Sequence, residues 1–374
     1  MPISGNLGGF IKPGFNPLGP QTETYTYELY AWGQNTTGQL GLGDTTLRNS
    51  PVQVGALSDW DNVAGGQAHS VAIKTDGTIW TWGFNANGEL GLGDTTNRSS
   101  PVQVGALTTW NKISTAYFTC HAITTGGALW GWGYGAKATI GDSAATSRSS
   151  PVQIGALTNW LNVAGGVYHC IATKTDGTLW AWGENIYGQV GDGTTTARNS
   201  PVQIGALTTW ANIACGAFHS IAVKTDGTLY AWGYNSAGQL GQNNTTSYSS
   251  PVQVGALTTW LQAAGGYHTA AIKTDGTLWA WGNGEKGQLG QGNTTYYSSP
   301  VQVGALSTWS AVQCGSEHTV STQTDGTLWS WGRNNFGQLG LGNTTDRSSP
   351  VQVGALTTWG EFNCGKFFSI ALQR

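Results

Sequence analysis

Five histidines stand at one recurring place in the chain. His69, His169, His219, His268 and His318 each follow a tryptophan by nine residues, or by eight in one shortened copy, and Thr119 and Phe368 take the same place in two further copies. A ring of imidazoles has the donor chemistry of a metal site, but ligands must converge at ~2 Å from one ion. No carboxylate keeps step with the histidines, so no metal is expected, and the expected role is a structural hydrogen bond at a turn. Aspartates recur as well, at Asp76, Asp176, Asp226, Asp275 and Asp325, each followed by glycine. Asp-Gly supplies the positive φ angles of a tight hairpin turn, so this repetition is backbone geometry rather than general acid-base work. The five cysteines fall in two repeat columns, Cys215, Cys314 and Cys364 in one and Cys120 and Cys170 in the other, with no Cys-x-x-Cys pair. They read as small buried residues. No Gly-x-Ser-x-Gly elbow, phosphate loop or His-Glu-x-x-His motif is present. The sequence predicts no catalytic residue, no cofactor and no enzyme.

The elements that position these residues are marked by tryptophans. Trp-Gly occurs at Trp32, Trp82, Trp132, Trp182, Trp232, Trp281 and Trp331, spaced by 50 residues with a single step of 49. Trp60, Trp110, Trp160, Trp210, Trp260, Trp309 and Trp359 end each Gly-Ala-Leu-x-x-Trp stretch, and Trp80, Trp130, Trp180, Trp279 and Trp329 precede Trp-Gly by two. All nineteen tryptophans are repeat positions, which makes them core. At i and i+2 of a strand, pairs such as Trp80 and Trp82 share one face and fill the space between neighbouring sheets. One copy reads as a strand after Trp160, a turn over 165–168, a second strand over 169–174, an Asp-Gly hairpin and a third strand over 179–183. A loop over 184–200 then leads to a fourth strand at Pro201-Val-Gln-Ile-Gly, where an edge proline costs no ladder bond. Seven four-stranded units predict an all-β fold, a seven-bladed β-propeller. Arg374 aligns with Thr75 and Tyr27 with Gly77, on either side of the Asp-Gly turn. The N- and C-terminal strands are therefore expected to close the ring within one blade. The propeller is expected over 25–374. Residues 1–24, with four prolines and the apolar anchors Phe10, Ile11, Phe15 and Leu18, read as an extended attachment arm.

Composition agrees with this reading. Only 9% of the 374 residues are charged, against ~25% in an ordinary soluble domain, which argues against long charged amphipathic helices. A formal charge of −3 lacks the basic excess needed to track a phosphate backbone, so no nucleic acid is expected as a partner. No apolar run approaches the ~18 residues of a membrane span, and the start lacks the regions of a signal peptide. The expected site of synthesis is a cytoplasm.

The repeated strings Gly-x-x-His-(Ser/Thr), Asp-Gly-Thr-Leu-Trp-x-Trp-Gly-x-Asn and Gly-Gln-Leu-Gly-x-Gly resemble the regulator-of-chromosome-condensation repeat family over about residues 25 to 374. That resemblance implies the propeller. It implies function only as binding, because members include a guanine-nucleotide exchange factor, a plant ultraviolet-B photoreceptor and a secreted β-lactamase inhibitor. The connections are nearly equal in length, without an inserted wedge of the kind the exchange factor uses. The photoreceptor's Gly-Trp-Arg-His-Thr motif appears as Gly66-Gln67-Ala68-His69-Ser70 and Gly315-Ser316-Glu317-His318-Thr319, without its tryptophan. The near-identical repeats and the tail are also similar to propeller proteins of marine bacteriophages. This second resemblance implies a virion component, a capsid decoration or tail-associated protein made in the host cytoplasm and carried on the virion surface. Its partners would be capsid or tail subunits through residues 1–24 and a host-surface ligand on the opposite face. The alternative is an exchange-type regulator or another cytoplasmic interaction scaffold.

Comparing the copies with one another isolates a candidate binding face. They differ mainly in the turn before the histidine, which holds Ala68, Phe118, Tyr168, Phe218, Tyr267, Glu317 and Phe367. The other variable place is the loop after Trp-Gly, with Phe84, Tyr134, Lys137, Glu184, Tyr187, Tyr234, Glu285, Arg333 and Phe336. In an up-and-down blade these two connections emerge on one face, so the aromatic residues read as a partner-binding surface on a rigid scaffold. Arg48, Arg98, Arg148, Arg198 and Arg347, with Tyr248 and Tyr297 in the remaining copies, form a ring expected to stack or to pair with residues such as Asp44 and Asp94. The copy from Lys112 to Ser150 is the most irregular. It has Thr115-Ala116 for Gly-Gly, Gly126-Gly127 for Asp-Gly and Ala138-Thr139-Ile140 for Gly-Gln-Leu.

Overall fold

A computed structural model describes residues 26–374. Strands are numbered in chain order, β1 to β28, and four make each blade. In the blade of β11 (Trp160–Gly165), β12 (His169–Lys174), β13 (Leu179–Gly183) and β14 (Arg198–Gln203), neighbours in sequence pair antiparallel. The Asp176-Gly177 turn joins β12 to β13. Gly177 has φ +75°, and a Cβ there would lie 2.1 Å from the Thr208 carbonyl oxygen of the next blade's connection. Both the left-handed conformation and the close approach require glycine. Asp176 Oδ1 accepts from the Thr178 amide and hydroxyl at 3.0 and 2.6 Å, and Trp180 Nε1 donates to that hydroxyl at 2.9 Å. The turn thereby orients the tryptophan.

The fourth strand departs from expectation. It begins at Arg198, three residues before Pro201, because the pairing slips between Gly183–Arg198 and Ala181–Val202. Pro201 falls inside this bulge on an edge strand, where its missing N–H costs nothing.

Seven blades form the ring as expected, and we count them from Trp60: blade 1 (60–103), blade 2 (110–153), blade 3 (160–203), blade 4 (210–253), blade 5 (260–302) and blade 6 (309–352). Blade 7 unites both ends of the described chain, in the order β2 (Arg48–Gln53), β1 (Glu28–Gly33), β28 (Phe368–Gln373), β27 (Trp359–Cys364). The β1–β28 ladder runs without a slip from Glu28–Gln373 to Gly33–Phe368. The first strand of each blade lines a central channel and the last forms the rim. Hydrophobic clusters lie between blades rather than within them: Leu179, Val190 and Ile204 of blade 3 pack with Trp210 and Trp232 of blade 4. Trp232 is fully buried and donates Nε1 to the Gln189 carbonyl of blade 3 at 3.0 Å. No helix of the described residues is long and apolar enough to cross a membrane. The arm residues Phe10, Ile11, Phe15 and Leu18 lie outside the described residues.

Candidate functional site

The histidines are buried and bond from blade to blade, not within their own turn as the sequence led us to expect. His169 Nε2 meets Ser220 Oγ at 3.0 Å, His219 meets Thr269 at 2.8 Å, His268 meets Thr319 at 2.7 Å and His318 meets Ser369 at 3.1 Å. Ser220 donates its only proton to the Gln189 carbonyl at 2.8 Å, so it accepts from His169 and fixes the Nε2–H tautomer. Nδ1 is left without a partner in all five rings. Burial pushes these imidazoles down to about 4 for His69 and His169 and about 3 for His219, His268 and His318, so they are neutral at pH 7. His69 meets Cys120 Sγ at 3.2 Å, placing that thiol in the serine or threonine column. Sequence reasoning missed His121, two residues beyond the usual column, which approaches the Ile140 carbonyl at 3.3 Å. Among the described residues no three His, Cys, Asp or Glu side chains are grouped to hold a metal ion.

The long loops are ordered by side chains that bond backbone. Asn185 Oδ1 accepts from the Val190 amide at 2.9 Å, while its Nδ2 donates to the Thr194 and Thr196 carbonyls at 3.1 and 3.0 Å. Gln189 Oε1 accepts from the Tyr187 amide at 2.9 Å, which presents the tyrosine at the loop tip. Arg48–Asp44 and Arg98–Asp94 pair at 2.6 Å, while Arg148 and Arg198 pair with an aspartate six residues earlier, Asp142 at 2.7 Å and Asp192 at 2.5 Å. Tyr248 and Tyr297 accept from Asn244 and Asn293 instead, while Asn343 replaces the aspartate before Arg347.

These loops bring most of the variable aromatics together, and all are half-buried. Phe118, Tyr134 and Tyr168 form one group with centroids 5.8 to 6.2 Å apart, flanked by Lys137, which pairs with Glu184 at 3.0 Å. Tyr187, Phe218 and Tyr234 form a second, with Tyr187 and Tyr234 only 4.5 Å apart, and Tyr267 joins it 6.5 Å from Phe218. Phe336 and Phe367 pair at 5.4 Å beneath Arg333, which is held by Glu317 at 2.5 Å. Contacts such as Tyr187 to Phe218 join a long loop to the next blade's short turn, so both connections share one face. Phe84 joins none of these groups, and the short turn of its own blade holds Ala68, whose carbonyl accepts from the Phe84 amide.

Two residues of this face were not anticipated. Ile186, beside Tyr187, is the most exposed large apolar side chain of the described residues at 58%. Tyr117, itself half-buried, spans the channel mouth from blade 2, bonds Ser316 Oγ of blade 6, and burial of its phenol raises its pKa. Its column of Gln67, Val167, Ala217, Ser316 and Lys366 varies as freely as its neighbour's and was the available signal. Around the mouth each blade donates one backbone bond to the next: Gln67 to Tyr117, Tyr117 to Gly166, Val167 to Ala217, Ala217 to Gly266, Tyr267 to Ser316, Ser316 to Lys366 and Lys366 to Gly66. Below lies a cavity of about 760 Å³.

The regulator of chromosome condensation (RCC1) repeat matches residues 28–73, 76–123, 176–223, 226–272, 275–321 and 325–372, passing over most of the irregular blade 2. A second model of the same repeat matches 60–89, 161–189, 210–239 and 309–338. Among solved structures, yeast RCC1 (Prp20) bound to Kap60 superposes with a TM-score of 0.83 at 20% identity, covering 94% of this chain and 89% of that one. Prp20p of Saccharomyces cerevisiae, whose binding to Gsp1p and histones was described with its structure, gives 0.84 at 20% identity over 94% and 92%. Human WBSCR16 gives 0.84 at 20% identity over 93% and 99%. The structural likeness is one of fold, and the repeat matches, which span most of the chain, show that it belongs to the regulator of chromosome condensation (RCC1) repeat family.

Proposed function

We propose that the protein is a non-enzymatic docking propeller whose partner, a protein, rests on the loop face. One observation carries this reading: the residues that vary most between copies are aromatic and gather into half-buried groups on one side of a rigid ring. Large rings with little rotamer freedom are the usual anchors of protein interfaces. Anchors of this kind are Phe118, Tyr134 and Tyr168 in one group and Tyr187, Phe218, Tyr234 and Tyr267 in the other. The double variant Tyr187→Ala/Phe218→Ala should lose the partner by at least ~2 kcal/mol while melting like the parent. Retention of the partner by the folded variant refutes the reading. The rival, a nucleotide-exchange regulator, is disfavoured by the near-equal loop lengths, and strong acceleration of nucleotide release from any member of a small-GTPase panel would favour it.

The finer reading, a phage virion component, draws support from the sequence resemblance and from where β1 starts. Glu28 lies at the Asp-Gly end, opposite the loops, so an arm of residues 1–24 gripping capsid or tail subunits through Phe10, Ile11, Phe15 and Leu18 would leave the loop face outward toward a host-surface ligand. Mass spectrometry of purified virions tests it, with absence of the protein as the refuting result.

A further inference from the structure

Four blades hold a lysine ammonium in a corner made by two aromatic rings. Lys174 Nζ lies 3.4 Å from the Trp180 ring centre and 4.7 Å from that of Trp160, and Lys273 lies 3.6 and 5.0 Å from Trp279 and Trp260. Lys74 and Lys224 repeat this at 4.4 Å from Trp80 and 4.1 Å from Tyr230. An ammonium over an indole face is attracted by the negative face of the ring, more strongly when water is excluded.

Blade 2 keeps the two rings and loses what the other blades place around them. Trp110 and Trp130 stand 5.8 Å apart at 80°, against 5.9 Å and 77° for Trp160 and Trp180. Thr124 occupies the lysine column, Gly126 the aspartate column and Ala128 the threonine column. Trp130 Nε1 is consequently buried without a partner, whereas Trp80, Trp180, Trp279 and Trp329 all donate to a threonine hydroxyl. The flank is open, since a Cβ at Gly126 would meet only Thr124 Oγ1, at 3.9 Å. In blades 6 and 7 the lysine column holds Gln323 and Gln373, long side chains tied to Thr308 and Thr358 at 3.1 and 2.9 Å. Blade 2 thus carries a short Thr124 where four blades place a lysine ammonium over the rings and two place a glutamine.

We propose that the Trp110–Trp130 corner binds an alkylammonium group from outside the chain, either a partner's lysine side chain or a free quaternary ammonium compound. The four lysine-bearing blades supply the geometry, a nitrogen 3.4 to 4.4 Å from the outer ring. The corner lies at the Asp-Gly end of its blade, so it is separate from the loop-face docking proposed above.

The test is a titration of the full chain, labelled with nitrogen-15, with choline, glycine betaine and N-acetyl-lysine methylamide, reading indole N–H signals assigned through Trp130→Phe. Saturable shifts of Trp110 and Trp130 are expected. Saturation by betaine but not by the lysine amide identifies a free compound, and the reverse identifies a partner's lysine. Thr124→Lys, which installs the ammonium that four other blades carry, should weaken binding at least about tenfold. Thr124→Gln, which installs the residue of blades 6 and 7 and adds bulk beside the rings, should also weaken binding, and stands in if the lysine variant fails to fold. No saturable shift with any of the three probes, or undiminished binding to a folded Thr124 variant, overturns the proposal.

Discussion

Acid should dismantle this propeller well before its carboxylates titrate. All six histidines are buried, and burial lowers His69, His121 and His169 to about 4 and His219, His268 and His318 to about 3, from an ordinary 6.5. Because the folded values lie below the unfolded one, the unfolded chain takes up protons first as pH falls. The stability these groups allow is complete about one unit above pH 6.5 and declines from there down toward pH 3 to 4. One pH unit below 6.5, each histidine costs about 1.4 kcal/mol, and six together about 8 kcal/mol. That is comparable with the whole stability of an ordinary domain, ~5 to 15 kcal/mol. Urea unfolding followed by tryptophan fluorescence at pH 7.5, 6.5 and 5.5 should show a loss of about 2 kcal/mol over the first interval and about three times as much over the second. His219→Gln, stable or not at pH 7.5, should flatten the slope by about one sixth. A free energy of unfolding that changes by less than about 2 kcal/mol between pH 7.5 and 5.5 refutes the reasoning, since it would mean that water or protons reach the rings in the folded ring of blades.

Two further outcomes follow from local geometry. Gly216→Ala would put a Cβ 2.0 Å from His219 Cε1, displacing the imidazole from Thr269, and should cost about 2 to 4 kcal/mol by chemical denaturation; a loss under ~0.5 kcal/mol would mean that the ring moves freely. Arg98→Ala removes a pair whose side chains are 29% and 42% exposed and should cost no more than ~1 kcal/mol by thermal melting, so a larger loss would assign the outer loop a structural role that its exposure does not suggest.

Much of the fold was legible because a propeller repeats its core. The tryptophan columns carried blade number, strand order and the place of ring closure, and the β1–β28 ladder falls where Tyr27 and Arg374 aligned. The start of the fourth strand was not legible, because a bulge absorbs Asn199, Ser200 and Pro201 and a proline reads as a boundary. The histidine bonds were half legible: Ser or Thr follows the histidine in four of the five regular copies, but that its hydroxyl serves the previous blade is a fact of ring geometry. Variation between copies marked the loop tips that carry the aromatic groups, while positions of the same loops that enter the core, such as Val190, stay apolar in every copy. Tyr117 escaped because its partner Ser316 lies 199 residues away across the ring, and no local pattern encodes which blades face each other.

The backbone circuit at the channel mouth has a sense of rotation. All seven bonds, from 2.8 to 3.4 Å, point the same way round, each blade donating to its successor and accepting from its predecessor. Head-to-tail dipoles in a line add up, as in a helix, and make a charged end. Bent into a closed circle, their components along the circuit cancel, so the circuit has no charged end. A circuit without ends also has no terminal member with an unpaired group, which lets the turns stay short and free of capping side chains. The longest link, Ser316 to Lys366 at 3.4 Å, is then the weakest point of the loop.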